Sequence, residues 1–283
     1  MYRTIFVPAL SDRSLSASLL AAEPIARTQK SHICCLFVAE PVAPSPGMEI
    51  GWSDELVTSA EEAMAELSDN LGRAFMTFCA DHNIEVVDHD ALSPSPQVTA
   101  SWSSTRGVSD ERAASFARQA DLVVMARPES PSRFGCRFEE ALVARSGRPV
   151  LITPPTPPVT MPGHPVVAWN GSREAARAVA IAMPMIRHAG TVTVVSVGEL
   201  PRDVPSAEEL SVTLHRHGVK ATYRQLDRHP DGVLATLEGA VSEFRGDLLV
   251  MGAYSHAQWR EVVLGGVTRD ILKGGKIPVL LVH

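Results

Sequence analysis

Asp121-Leu-Val-Val-Met125 returns near the end of the chain as Asp247-Leu-Leu-Val-Met251, and Arg148-Pro-Val-Leu-Ile152 returns as Ile277-Pro-Val-Leu-Leu281. A short unit stacked many times would mark a solenoid. Two copies this far apart mark a duplicated domain. Each repeated run is apolar almost throughout. That pattern fits a strand buried on both faces, as in a parallel sheet covered by helices. The duplication also lets each copy serve as a comparison for the other.

The 283 residues then divide into two units of about 140 residues each. Each is long enough to bury its own core without disulfides or metals. Hydrophobic residues make up 45% and charged residues 20%, the balance of an ordinary soluble globular protein. Net charge is −6 with basic residues scattered, which argues against a nucleic-acid surface. No apolar run approaches the roughly 18 residues a membrane helix needs, and Met1 to Pro8 reads as a first strand, not a targeting segment. Cys34, Cys35, Cys79 and Cys136 form no C-x-x-C pair, and free thiols in a reducing cytoplasm are the reading favoured over a disulfide or metal framework.

Six prolines fall between Thr153 and Pro165, at 154, 155, 157, 158, 162 and 165. Such density removes backbone donors and holds the chain extended. The expected organisation is a first domain over 1–153, a stiff linker over 154–165 and a second domain over 166–283. In the second copy, strands are expected at 164–169, 191–197, 219–225, 247–251 and 278–282. Helices are expected at 173–188, 206–217, 231–244 and 268–273, the first with Ser172 as its N-cap. The first copy repeats the order with strands near 4–8, 33–38, 84–88, 122–125 and 150–152, and its Ser- and Pro-rich stretch from Asp90 to Asp110 reads as a loop insertion. Strands alternating with helices imply right-handed crossovers and, in each copy, a five-stranded parallel α/β sheet.

The stretch that carries chemistry runs from Met251 to Thr268. Gly252 follows a central strand, where open parallel sheets place their ligands. Gly265 and Gly266 precede an expected helix, and Thr268 adds a hydroxyl in its first turn. Bare main-chain N–H groups at a helix N-terminus favour an anion. The segment is neither a Walker A loop, since the Gly-Lys-Ser/Thr ending is missing, nor the Rossmann fingerprint.

The spacing Gly252-x2-Ser255-x9-Gly265-Gly266 resembles the Gly-x2-Gly-x9-Gly-Ser/Thr motif of the universal stress protein family, in its tandem two-domain form. Ser255 replaces a motif glycine and Gly266 replaces the hydroxyl residue. Val167 to Ser172 resembles the family's first strand and turn, with Asn170 where an aspartate usually stands, and Ile277 to Leu281 resembles its closing, dimerising strand. The resemblance implies a flavodoxin-like, HUP-type (adenine-nucleotide alpha-hydrolase-like) fold, ATP or another adenine nucleotide, with or without Mg2+, in one branch of the family, and no nucleotide in the other. Carried over by position, Asn170 meets the nucleoside, Val197 offers backbone to adenine, and Gly252, Ser255, Gly265, Gly266, Val267 and Thr268 hold phosphates. The resemblance also implies an intramolecular pseudo-dimer through the closing strands, and homodimers within the family.

The first copy departs further. Ala126 stands at the Gly252 position, followed by Arg127-Pro-Glu, Cys136-Arg137 lies opposite Gly265-Gly266, and Leu10 stands for Asn170. This half is expected not to bind a nucleotide in the family manner. The glycines of the second copy keep two readings, a phosphate cradle or turns that merely shape the backbone. Asp121 and Asp247 read as strand-start residues, Trp169 and Trp259 as packing residues, and His215, His217, His229 and His256 as surface or loop histidines, with no metal or catalytic set marked by spacing. The leading expectation is a cytoplasmic stress-response protein that binds an adenine nucleotide in its second half and acts as a sensor or regulator, with at most slow ATP hydrolysis. The alternative is a nucleotide-free interaction and assembly module. An AMP-forming enzyme on the same scaffold ranks below both.

Overall fold

Leu122, Val123, Val124, Met125 and their repeats Leu248, Leu249 and Val250 are almost wholly inaccessible to solvent, so helices must cover both faces of the sheet that contains them. A computed structural model describes residues 1–38, 53–88, 96–104, 110–127, 133–253, 271–272 and 275–283. In chain order the first copy gives β1 (Thr4–Ala9), α1 (Asp12–Gln29), β2 (His32–Phe37), α2 (Asp54–Asp81), β3 (Glu85–Val86), β4 (Thr99–Ser104), α3 (Asp110–Ala117), β5 (Leu122–Ala126), α4 (Arg133–Arg145) and β6 (Val150–Thr153). The second gives β7 (Pro165–Ala168), α5 (Arg173–Ala189), β8 (Thr191–Val197), α6 (Ala207–Arg216), β9 (Lys220–Leu226), α7 (Val233–Glu243), β10 (Leu248–Gly252) and β11 (Val279–Val282). Ile271 and Leu272 are helical.

The strands form one sheet in the order β3-β4-β2-β1-β5-β6-β11-β10-β7-β8-β9. Every pairing is parallel except the central one, where β6 and β11 run antiparallel with Ile152 opposite Val279 and Val150 opposite Leu281. Side chains alternate between the two faces, as a period of two requires. Leu122 and Val124 join a core under α1, α2, α5 and α6, which includes Leu19, Phe75, Ile186 and Leu214. Val123 and Met125 join a core under α3, α4 and α7, which includes Ala114, Phe138 and Leu237. The fold class is the α/β architecture expected from the repeat. No described helix is long and apolar enough to cross a membrane.

One expectation fails within the first copy. Part of the stretch taken as a loop insertion is β4, which pairs with β2 along all six of its residues, so this copy has six strands where five were expected. The strand expected at 84–88 shrinks to the two residues of β3, which pair with β4. Thr99-Ala-Ser-Trp-Ser-Ser104 is short of β-branched and apolar residues, which hides it from pattern reading. Tertiary packing forms it. The Trp102 ring lies 5.6 Å from that of Phe75 on α2, and Gly72 leaves room for its indole.

The repeated aspartates have a shared role. Asp121 Oδ2 accepts the N–H groups of Arg3 and Thr4, at 2.7 and 3.0 Å, where β1 begins. Asp247 accepts those of Gly163 and His164, at 2.6 and 3.0 Å, where β7 begins. Each carboxylate thus satisfies donors at the start of the neighbouring strand, which lack a ladder partner there. Ser172 is the N-cap of α5, with its Oγ accepting from the Ala175 N–H at 3.2 Å, and α5 closes on Gly190 in the left-handed conformation (φ 71°).

Candidate functional site

In the second copy the chain goes from β7 outward to β8 and β9, then returns to place β10 and β11 on the other side of β7. The order reverses between β7 and β10, so the crevice at their carboxyl ends is where an open α/β sheet receives ligands. Three of the residues expected in the site lie at this edge. Gly252 ends β10, Asn170 follows β7 by two residues, and Val197 ends β8, the other neighbour of β7.

The crevice floor is built by close main-chain approach. A Cβ on Gly252 would lie 2.6 Å from the carbonyl carbon of Glu174 and 2.7 Å from the nitrogen of Ala175. The first turn of α5 therefore rests directly on the end of β10, and its amide end faces the crevice. The partial positive charge of a helix N-terminus suits an anion there. Gly252 consequently has a structural duty that holds with or without a ligand.

Asn170 is exposed, and its Oδ1 accepts the Ser172 N–H at 3.1 Å, which tightens the turn into α5. That turn is one residue longer than its counterpart. The pairings Ile5–Leu122 and Pro165–Leu248 set Leu10 against Asn170, whereas the N-caps Ser11 and Ser172 leave Gly171 without an equivalent. Gly171 has φ +72°, and a Cβ on it would lie 2.7 Å from Val204. Val197 is half-buried, lies in register with Leu226 of β9 and, like Ala168, packs against the core of that face. Trp169 is buried and donates its indole N–H to the Pro205 carbonyl at 2.7 Å, a packing role. Ser255, Gly265, Gly266, Val267 and Thr268 lie outside the described residues, as do His256 and Trp259.

The matching edge of the first copy carries side chains where the second copy has bare main chain. Ala126 is buried where Gly252 stands in the second copy, and its N–H donates to Ser18 Oγ at 2.8 Å. Leu10 packs against the core, and Arg127 is 5% exposed. Sequence reasoning treated Arg127 only as a residue replacing the glycine cradle. Its signal was present in the repeat, where it stands opposite the small Ala253. Two main-chain bonds fix this equivalence, Arg127 N–H to the Thr153 carbonyl at 2.9 Å and Ala253 N–H to the Val282 carbonyl at 2.7 Å. Glu139 on α4 is 1% exposed, and neither carboxylate oxygen has a hydrogen-bond partner among the described residues. Burial pushes its carboxyl up to about 8, against the opposing pull of Arg127.

Two further features lie away from the crevice. Among the described side chains, Cys34, Cys35 and Cys79 are free thiols, and burial raises all three above the usual thiol range, which keeps them protonated. A cleft of about 510 Å³ opens at the amino-terminal ends of β1, β5 and β6, between Tyr2, Arg148 and Pro149 on one side and Ile181, Met183 and Arg187 of α5 on the other. Because β6 and β11 run antiparallel, these amino-terminal ends lie at the same end of the sheet as the carboxyl ends of β10 and β11, but the cleft is lined by none of the crevice residues. No group of three or more potential metal ligands occurs among the described residues.

Compared with solved structures, the chain superposes along its whole length on a universal stress protein from Archaeoglobus fulgidus DSM 4304, with TM-score 0.63, 15% identity, and coverage of 99% of this chain and 96% of that one. It has the universal stress protein fold. A candidate universal stress protein from Pseudomonas aeruginosa UCBPP-PA14 matches with TM-score 0.58 and 14% identity over 99% of this chain and 93% of that one. A functionally unknown protein from P. aeruginosa PAO1 matches with TM-score 0.54 and 15% identity over 99% of this chain and 92% of that one. No protein-family model matches the sequence, and no curated protein matches it. At such identity the universal stress fold survives through the burial pattern of its strands, which many apolar side chains can satisfy.

Proposed function

We propose that the second half binds an adenine nucleotide, ATP with or without Mg2+, in the crevice between β7 and β10, and that the chain acts as a sensor or regulator of a stress response in the cytoplasm. The observation that carries this reading is the bare main-chain edge at Gly252, with the amide end of α5 set against it and Asn170 beside it. In sequence, Gly265, Gly266, Val267 and Thr268 follow at the family spacing and supply the phosphate cradle, with Ser255 as a further hydroxyl donor. Asn170 meets the ribose, and Val197 offers main chain to the base. The first half, with Ala126, Leu10 and Arg127 at the equivalent edge, binds no nucleotide in this manner. The sequence pattern marks no general base or arginine finger for hydrolysis, so any turnover is slow.

A second reading, a nucleotide-free module for assembly and partner docking, is favoured by one observation. The contact of Gly252 with Glu174 and Ala175 explains that glycine without a ligand. Melting with and without saturating ATP and magnesium separates the two. A ligand at one hundred times its Kd adds about 2.7 kcal/mol to the folded state and raises the midpoint. Gly266→Val and Thr268→Ala should remove that rise, whereas Gly252→Val would disturb α5 regardless of ligand. An unmoved midpoint at millimolar ATP would leave the docking module as the better account.

A further inference from the structure

The stretch from the helical residues Ile271 and Leu272 into β11 is bonded differently from its counterpart in the first copy. In the first copy, α4 ends at Arg145, whose carbonyl accepts Nε and Nη2 of Arg118 at 3.4 and 3.2 Å. Arg118 comes from the same copy, just after α3. The register of Asp121 with Asp247 sets Phe244 opposite Arg118 in the second copy, and a phenyl ring donates no hydrogen bond.

Toward the carbonyls of Ile271, Gly275 and Ile277, which stand where Leu142, Ser146 and Arg148 stand in the first copy, the donor comes from the other half. Arg127, at the end of β5, donates Nε to the Ile271 carbonyl at 3.1 Å and Nη1 to the carbonyls of Gly275 and Ile277, both at 3.2 Å. Ile271 is helical and lies three residues beyond Thr268, and Ile277 leads into β11. Gly275 is shaped to receive the guanidinium, because its φ is +155° and a Cβ there would lie 3.1 Å from Nη2 and 3.3 Å from Cζ. A rigid, permanently charged fork that reaches three carbonyls near a helix C-terminus also complements the helix dipole.

We propose that Arg127 is a positioning residue for the nucleotide site of the second half. The edge that would hold a ligand in the first copy instead carries the residue that bonds the stretch just beyond its twin's candidate phosphate segment. Ligand binding in one half is thereby coupled to the integrity of the other, so contacts made on β5 or α4 bear on nucleotide affinity. The proposal rests on the nucleotide reading above.

The test is ATP affinity by titration calorimetry on the full chain, for wild type, Arg127→Lys and Arg127→Gln, at a temperature where all are fully folded. Hydrogen exchange at 271–277 is followed in parallel. Lysine keeps the charge but cannot span three carbonyls, so both variants should bind ATP about tenfold more weakly, the effect of about 1.4 kcal/mol, and exchange faster at 271–277. Asp121→Asn, which weakens the start of β1 without touching this segment, should leave affinity unchanged at comparable loss of stability. If either arginine variant fails to fold, Gly275→Ala, which presses on the guanidinium, takes its place and should show the same loss. Wild-type affinity in the arginine variants, or an equal loss in Asp121→Asn, overturns the role of Arg127 alone. A wild-type chain that takes up no ATP overturns the nucleotide reading and this role with it.

Discussion

Gly252 and Gly171 lack side chains for different reasons. At Gly252 the obstacle is another backbone, the first turn of α5. At Gly171 it is the combination of a positive φ and the Val204 side chain. An alanine at Gly252 has to push α5 off the end of β10, and one at Gly171 is strained in conformation as well, so each should cost about 1–3 kcal/mol in urea denaturation. Glu139 gives a prediction in pH. Burial raises its carboxyl to about 8. The unfolded chain ionises it near the ordinary glutamate value of about 4.3, so the folded state binds the extra proton between these values. Its contribution to stability is complete below about pH 4.3 and is lost as pH rises to about 8, an effect on the order of a few kcal/mol. Glu139→Gln should flatten that slope in denaturation curves at pH 5 and pH 8. An unchanged slope would mean that another group sets it.

At the level of elements, the strand starts and helix starts are fixed by short side chains whose duty repeats between the copies. Removing the Asp247 carboxylate leaves the Gly163 and His164 N–H groups without their acceptor. Asp247→Ala should cost about 1–3 kcal/mol, and Asp247→Asn, which keeps one acceptor oxygen, should cost less. Ser172→Ala should cost about 1 kcal/mol, the usual effect of losing an N-cap, measured as a shift in the urea midpoint. Elements of this kind were legible in the sequence because the apolar period and the cap residues agree locally. The element that escaped, β4, is Ser-rich and gains its place from β2 on one side and Trp102 against Phe75 on α2. Nothing within its own six residues announces a strand.

At the level of the whole molecule, besides the shared apolar cores, three hydrogen-bonded links join the copies among the described residues: the antiparallel β6–β11 pairing, the Tyr2 hydroxyl donating to the Ile181 carbonyl at 2.6 Å, and the reach of Arg127 to Ile271, Gly275 and Ile277. Burial leaves the Tyr2 hydroxyl protonated far above the ordinary phenol range, so this donor persists at any physiological pH. Without β6, β11 would present a bare edge of Val279, Leu280, Leu281 and Val282, all buried in the whole chain. Such an edge pairs with whatever strand is available. A fragment spanning 166–283 should therefore self-associate through β11, seen as a dimer by light scattering, and Leu280→Lys in that fragment should return it toward monomer. A monomeric fragment with no such variant would mean that the edge is blunted by other means.

The sequence by itself determined the internal repeat and the parallel α/β class, and it set the expectation of which edge of the sheet receives a ligand. Those properties follow from local burial patterns and from the order in which strands alternate with helices. The family resemblance implied that the two halves meet at their closing strands, whereas only the tertiary structure decided that Gly252 lies under the first turn of α5 and that Arg127 reaches the opposite half. Each of these depends on contacts between residues far apart in the chain, 144 positions for Arg127 and Ile271. No propensity or spacing encodes a contact of that range, because it arises from how two finished units pack and not from how either one forms.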